Sequence, residues 1–276
     1  MQGSREHMTA RISRRKFAVV AGVTGLAVGR ALNAADEATV PAASDRPVLA
    51  EHPLVPAIKH AQNCLDKVLE MKGYECEFSK KEVVGRQTIT QTMRMKVREE
   101  PFSVYMYFLE PHEGREAIFV NGRNNNKLLV HETGLASLIG TLELEPTSSQ
   151  VMAENRYPVT KAGMANMVRT VIEQWEEESK YGETDVKYFE DARIGDVACR
   201  VIESSHPTPR KQFKFHMTRL WIEVESGLAV RIQQFGFPKT KDAKPPVLED
   251  YTFSKIKPEV RLTDRDFDPE NPGYNY

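Results

Sequence analysis

The sequence predicts an α+β fold: one large, curved antiparallel sheet of about ten strands, an incomplete barrel, covered by two or three helices. Two observations carry that prediction. Residues 93–131 read as four short strands broken by turns at Glu99-Glu100-Pro101, Pro111–Gly114 and Gly122–Asn126. In Phe102–Phe108, Phe102, Val104, Met106 and Phe108 share one face, and Ser103, Tyr105 and Tyr107 share the other. One face is strongly apolar and the other amphipathic, as in an antiparallel meander covered on one side. The second observation is the clustering of helical periodicity into two places, which leaves the rest of the chain to the sheet.

The chain opens on an address. Ile12–Phe17, ISRRKF, leads into thirteen weakly apolar residues, Phe17–Gly29, then Arg30 and small residues. A charged start, a short apolar run and small residues near a cut site describe an export signal. Arg14-Arg15, preceded by Ser13 and followed by Lys16-Phe17, resembles the twin-arginine signal, so residues 1–34 are expected to direct export to the periplasm. The run is short of the ~20 apolar residues that span a bilayer, so the expected mature protein is not integral to the membrane. Residues 35–52, rich in Ala, Pro and Asp, read as a flexible tether. Residues 53–276 are expected to form one domain.

A helix is expected from about Pro53 to Met71, with Ile58, Ala61, Leu65, Val68 and Leu69 on one stripe and Gly73 as its stop. Tyr74–Val84 and Arg86–Val97 form the first hairpin, with Met93, Met95 and Val97 on one face. After the central strands, residues 134–146 are open between a short helix and a strand. Thr160–Ser179 is the clearest helix: Met164, Met167, Val168, Val171, Ile172 and Trp175 make one continuous stripe. Glu173 and Glu176–Glu178 oppose its dipole, so its end is expected to fray. Strands return at 185–194, 197–204, 212–224, 228–235 and 247–255.

Composition narrows the function. The chain is 40% apolar and 28% charged, which is ordinary globular composition. Beyond residue 34 there are 32 basic and 38 acidic residues, a net charge of −6, which offers no footprint for nucleic acid. The three cysteines, Cys64, Cys76 and Cys199, show no metal spacing. Cys76 and Cys199 could form a bridge, but buried free thiols are the favoured expectation. Beyond residue 34 the histidines His52, His60, His112, His131, His206 and His216 are scattered, and no nucleophile, metalloprotease, phosphate-loop or dinucleotide motif is present. No cofactor, metal site or enzymatic activity is expected. The loops 111–119 and 203–213 read as solvated turns.

Leu65–Val68, then YECEFSKK (Tyr74–Lys81), MRMKVREEPFSVYMYFLEP, FVNGRNNNKLLVHE and the closing RLTDRDFDPENPG (Arg261–Gly273) together resemble the periplasmic lipoprotein carrier LolA. More closely, the chain is similar to a bacterial family of unknown function with that architecture. The resemblance implies a half-barrel whose apolar concave face holds lipid or lipoprotein acyl chains beneath a helical lid. Cavity and lid candidates are then Met93, Met95, Phe102, Val104, Met106 and Phe108 on the strands, and Met164, Met167, Val171 and Trp175 on the helix. It also implies that Arg98, before the turn proline, holds the lid, although Glu99-Glu100 intervene here. The expected function is a non-enzymatic carrier or sensor of acyl chains. The alternative is a filled-core scaffold at the cell envelope that binds a protein through a sheet edge or the 203–213 loop.

Overall fold

The computed structural model describes residues 51–240, 242–258 and 260–276. The export signal with Arg14 and Arg15, and all of the tether but its last two residues, lie outside them. His52, expected in the tether, is fixed: its Nδ1 accepts the Leu54 N–H at 3.2 Å and its Nε2 donates to the Tyr181 carbonyl at 2.8 Å.

Helix α1 (Leu54–Glu70) runs into an eleven-stranded antiparallel sheet. The strands are β1 (Gly73–Val84), β2 (Gln87–Arg98), β3 (Ser103–Glu110), β4 (Glu116–Val120), β5 (Leu128–His131), β6 (Thr141–Leu144), β7 (Asp185–Ile194), β8 (Val197–Ser205), β9 (Met217–Glu223), β10 (Ala229–Phe235) and β11 (Val247–Lys257). Their spatial order is β6-β5-β4-β3-β2-β1-β11-β10-β9-β8-β7. The sheet is one strand longer than expected and has two edges, so it does not close. Sheets of this size curl because strand twist accumulates.

Two helices interrupt the strands between β6 and β7, the short α2 (Ser149–Met152) and α3 (Met164–Glu178). Helices α1 and α3 pack along each other and onto β10. Their buried faces follow the periodicity of the sequence: Leu54, Ala57, Ala61, Cys64, Leu65 and Val68 on α1, and every residue of the expected stripe on α3. Burying such a stripe removes apolar surface from water at about 25 cal/mol per Å². Beneath them the register lines up Cys76, Met95, Met106, Ala117 and Val130 across five strands, beside a row of Phe78, Met93 and Phe108. All three cysteines are buried free thiols. Burial pushes the Cys64 thiol up to about 12.

Four details depart from the sequence reading. Residues 134–146 use both options, a 3-10 turn over Gly134–Ile139 followed by β6. Strand β9 begins at Met217 rather than residue 212, because Phe213 and Phe215 leave the ladder and bury their rings. The end of α3 does not fray: Glu178 is buried, accepts a bond from Gln174 at 2.9 Å, and faces His206 Nε2 at 3.2 Å. Finally, the outer face of β3–β5 is also covered. Residues 260–276 lie across it, packing Phe267, Leu262, Tyr274 and Tyr276 onto Tyr105, Ile118, Val120 and Leu129.

Candidate functional site

The space between the sheet and its cover is not completely filled by side chains. A cavity of about 280 Å³ lies over β1–β5, β10 and β11, near the lower end of the ~300–1,000 Å³ range of small-molecule sites. Its apolar wall includes Phe78, Met93, Met95, Met106, Phe108 and Val130, with Val151 and Met167 above. These positions face inward because side chains alternate along each strand and the register carries that alternation from strand to strand. Thioether side chains reshape easily around an irregular apolar guest.

The same alternation brings ions to one end of the cavity. On β1, Lys80 and Glu82 continue the inward row of Tyr74, Cys76 and Phe78, and both are buried. They meet the segment Glu154–Tyr157, which crosses the cavity between α2 and α3. Lys80 Nζ donates to the Glu154 carbonyl at 3.1 Å and to Asn155 Oδ1, and it sits 3.4 Å from Glu82. Arg115 bridges Glu132 at 2.8 Å and Glu154 at 3.0 Å, and Gln91 Nε2 donates to Glu154 at 3.2 Å. Arg156 donates through its backbone N–H to Glu82 at 3.0 Å, through Nη1 to the Val83 carbonyl at 2.8 Å, and through Nε to Glu249 at 2.6 Å. Tyr157 also donates to Glu249, at 3.0 Å, and Tyr251 donates to Glu82 at 2.7 Å.

Four consecutive residues, Glu154, Asn155, Arg156 and Tyr157, therefore clasp the cover to β1, β2 and β11 over an apolar interior. Burial lowers the pKa of Lys80, with Glu82 opposing it. Burial raises Glu249, against the pull of Arg156 and Lys214. Charges held this far from water are stable only while paired, so the clasp is strong when complete and costly when broken.

Met93, Met95, Met106, Phe108 and Met167 line the cavity, five of the ten residues expected there. Val104, Met164, Val171 and Trp175 are in solid core beside it; the Trp175 indole donates to Ser204 Oγ at 2.9 Å. Phe102 lies beyond the end of β2, packed near Phe119. Arg98 is turned to the outer face, where it holds Asp264 at 2.8 Å and Ser103 at 2.9 Å and covers the Phe267 ring. It fastens residues 260–276 rather than the helical cover, because Val97 takes the inward position and Arg98 the outward one. The clasp residues were missed. Their signal was present in the inward phase of Lys80 and Glu82, and in the density of polar groups at 154–157 between two apolar segments.

His206 is buried, stacked on Phe213 at 3.7 Å, and His216 bonds the His206 carbonyl through Nδ1 at 2.8 Å. His131 lies by Tyr276. Among the described residues no three His, Cys, Asp or Glu side chains are grouped to hold a metal ion. No helix among them is long and apolar enough to cross a membrane.

The sequence profile of a family described as a protein of unknown function (DUF1571) matches residues 71–276. No curated protein sequence matches the chain. Among solved structures, the chain is similar to the Mycobacterium tuberculosis lipoprotein LppX, with 14% identity, a TM-score of 0.44, and coverage of 76% of this chain and 100% of that one. A DUF1329 family protein from Desulfovibrio piger shares 12% identity at a TM-score of 0.39, covering 78% and 97%. A LolA superfamily protein from Nitrosomonas europaea shares 12% identity at a TM-score of 0.27, covering 75% and 97%.

Proposed function

The chain belongs to the DUF1571 family, and from the site of this member we propose that it is a non-enzymatic carrier or sensor that binds lipid or lipoprotein acyl chains. One observation carries this reading: a cavity of about 280 Å³ with an apolar wall that includes Met, Phe and Val, crossed by a segment fastened with polar bonds. An apolar interior with adaptable side chains suits hydrocarbon, which needs contact but no directional bonds. The export signal expected around Arg14-Arg15 places the carrier in the periplasm.

Met106→Glu is the direct test. A carboxylate on the half-buried wall position opposes hydrocarbon without emptying the core, so uptake of a neutral dansyl-labelled alkyl amide falls about tenfold or more while the urea midpoint moves little. Equal loss of uptake and stability overturns the reading.

A second reading, a protein-interaction module, is favoured by the turn Gly134–Ile139. Leu135, Leu138 and Ile139 are 88%, 84% and 72% exposed there, beside an edge strand. Exposed aliphatic clusters mark contact surfaces. Envelope pull-downs that retain a partner with the wild type and lose it with Leu135→Ser/Leu138→Ser support this reading.

A further inference from the structure

A second opening lies at the other end of β2. It is a cleft of about 930 Å³ between the α1–β1 turn, the β2–β3 turn, the first turns of α3 and the segment after β11. Its charge differs from that of the cavity. The cavity is lined by Lys80, Arg115 and Lys161 against Glu82, Glu132, Glu154 and Glu249, with Lys80 and Arg115 paired. The cleft is lined by four cations, Lys72, Arg98, Arg169 and Arg261, against two acids, Glu99 and Glu100. Among the described residues only Arg98 of these four has a carboxylate within 4.0 Å, that of Asp264. Arg169 donates to the neutral Asn166 at 3.1 Å, and Arg98 Nε and Glu99 Oε1 are both buried with no partner.

Cations therefore outnumber acids two to one here, on a chain whose residues beyond 34 carry a net charge of −6. The positive end of α3, where Asn166 and Arg169 sit, adds to the same field. Glu99 and Glu100 reduce that field, and the Arg169 charge acts on the Glu99 carboxyl. The rest of the wall mixes apolar Phe102, Phe119, Met71 and Leu262 with the neutral polar Asn121, Thr160 and Asn166. Guanidinium groups beside an apolar wall match a ligand with an anionic head and a hydrocarbon stem.

We infer that this cleft is a second binding site, which takes the anionic headgroup of an amphiphile, a phosphate monoester or a carboxylate, between Lys72, Arg169 and Arg261. It is separated from the acyl-chain cavity by Tyr74, Val97 and Gly163, which close on one another: a Cβ on Gly163 would meet the Tyr74 hydroxyl at 3.1 Å and Val97 at 3.3 Å. The two sites can therefore be tested apart.

The test titrates the full chain with dodecyl phosphate, dodecyl maltoside and inorganic phosphate in turn, each below its micellar concentration. The phosphate head should bring about tenfold tighter binding than the maltoside head. Arg169→Gln/Arg261→Gln should bring that ratio close to one without changing maltoside binding, and Lys72→Gln, at an exposed position, should lower it in part. Met106→Glu, in the cavity, should leave the affinity for dodecyl phosphate within about twofold of wild type even where it lowers binding of dodecyl maltoside. A wild-type ratio near one overturns the inference, as does a ratio that survives the double variant. Inorganic phosphate binding as tightly as dodecyl phosphate also overturns it, since the apolar wall would then have no part.

Discussion

The hydroxyl of Tyr74 on β1 accepts the backbone N–H of Met164, the first residue of α3, at 2.7 Å. That bond satisfies one of the donors a helix start leaves open and fixes the helix to the sheet beside the cavity. Gly163, with φ of +90°, lets the chain pass against Tyr74 and Val97. Tyr74→Phe should cost about 1–2 kcal/mol, the usual penalty for leaving a buried donor unpaired. Gly163→Ala should cost more, because it adds left-handed backbone strain of about 1–3 kcal/mol to a steric clash. Urea unfolding of the two variants gives both values; a smaller loss for Gly163→Ala contradicts this role for the contact.

The clasp makes a second prediction. Arg156→Ala removes the salt-bridge partner of Glu249, a nearly fully buried carboxylate left with only its Tyr157 bond, and should destabilise by about 3–5 kcal/mol. The double variant Arg156→Ala/Glu249→Gln should recover part of that loss. Hydrogen exchange should quicken first in residues 149–163, since their polar bonds to the strands are lost. Uniform quickening across the sheet contradicts a local clasp.

The segment over the outer face should detach in acid before the core opens. Hydrogen bonds from Arg98 and Arg123 hold the Asp264 carboxyl below its ordinary value. Burial alone would raise Asp266, but bonds from Lys96 and Thr263 leave it lowered as well. A lowered carboxyl pKa contributes stability that is full above the ordinary aspartate value of about 3.9 and is lost as pH falls through the folded value. Protection of residues 260–276 should therefore fall below about pH 4 while that of α1 and α3 persists. Asp264→Asn/Asp266→Asn should loosen the segment at pH 7; loss only in step with the core contradicts this.

The address is tested in cells. Arg14→Lys/Arg15→Lys should retain the protein in the cytoplasm with residues 1–34 uncleaved, as read by fractionation and mass. Continued export by the double variant contradicts twin-arginine targeting.

Much of this architecture was legible because period is a strong signal. The α3 stripe from Met164 to Trp175 and the alternation from Phe102 to Phe108 identified helix, strand and inward face. What the sequence hid was distance. Val104 and Met106 share a face and one strand, yet Val104 is solid core and Met106 lines open space. The fraying expected from Glu176–Glu178 failed because His206, 28 positions on, meets Glu178. The clasp joins residues 154–157 to Lys80, Glu82 and Glu249, so no local pattern announces it.

The most direct measurement is native mass spectrometry of residues 35–276, purified from the periplasm of the host without detergent, followed by solvent extraction. A co-purifying mass that extracts as lipid, and is absent from Met106→Glu, is the result expected of an acyl-chain cavity. A compact, ligand-free protein, identical in the wild type and the variant, would contradict it.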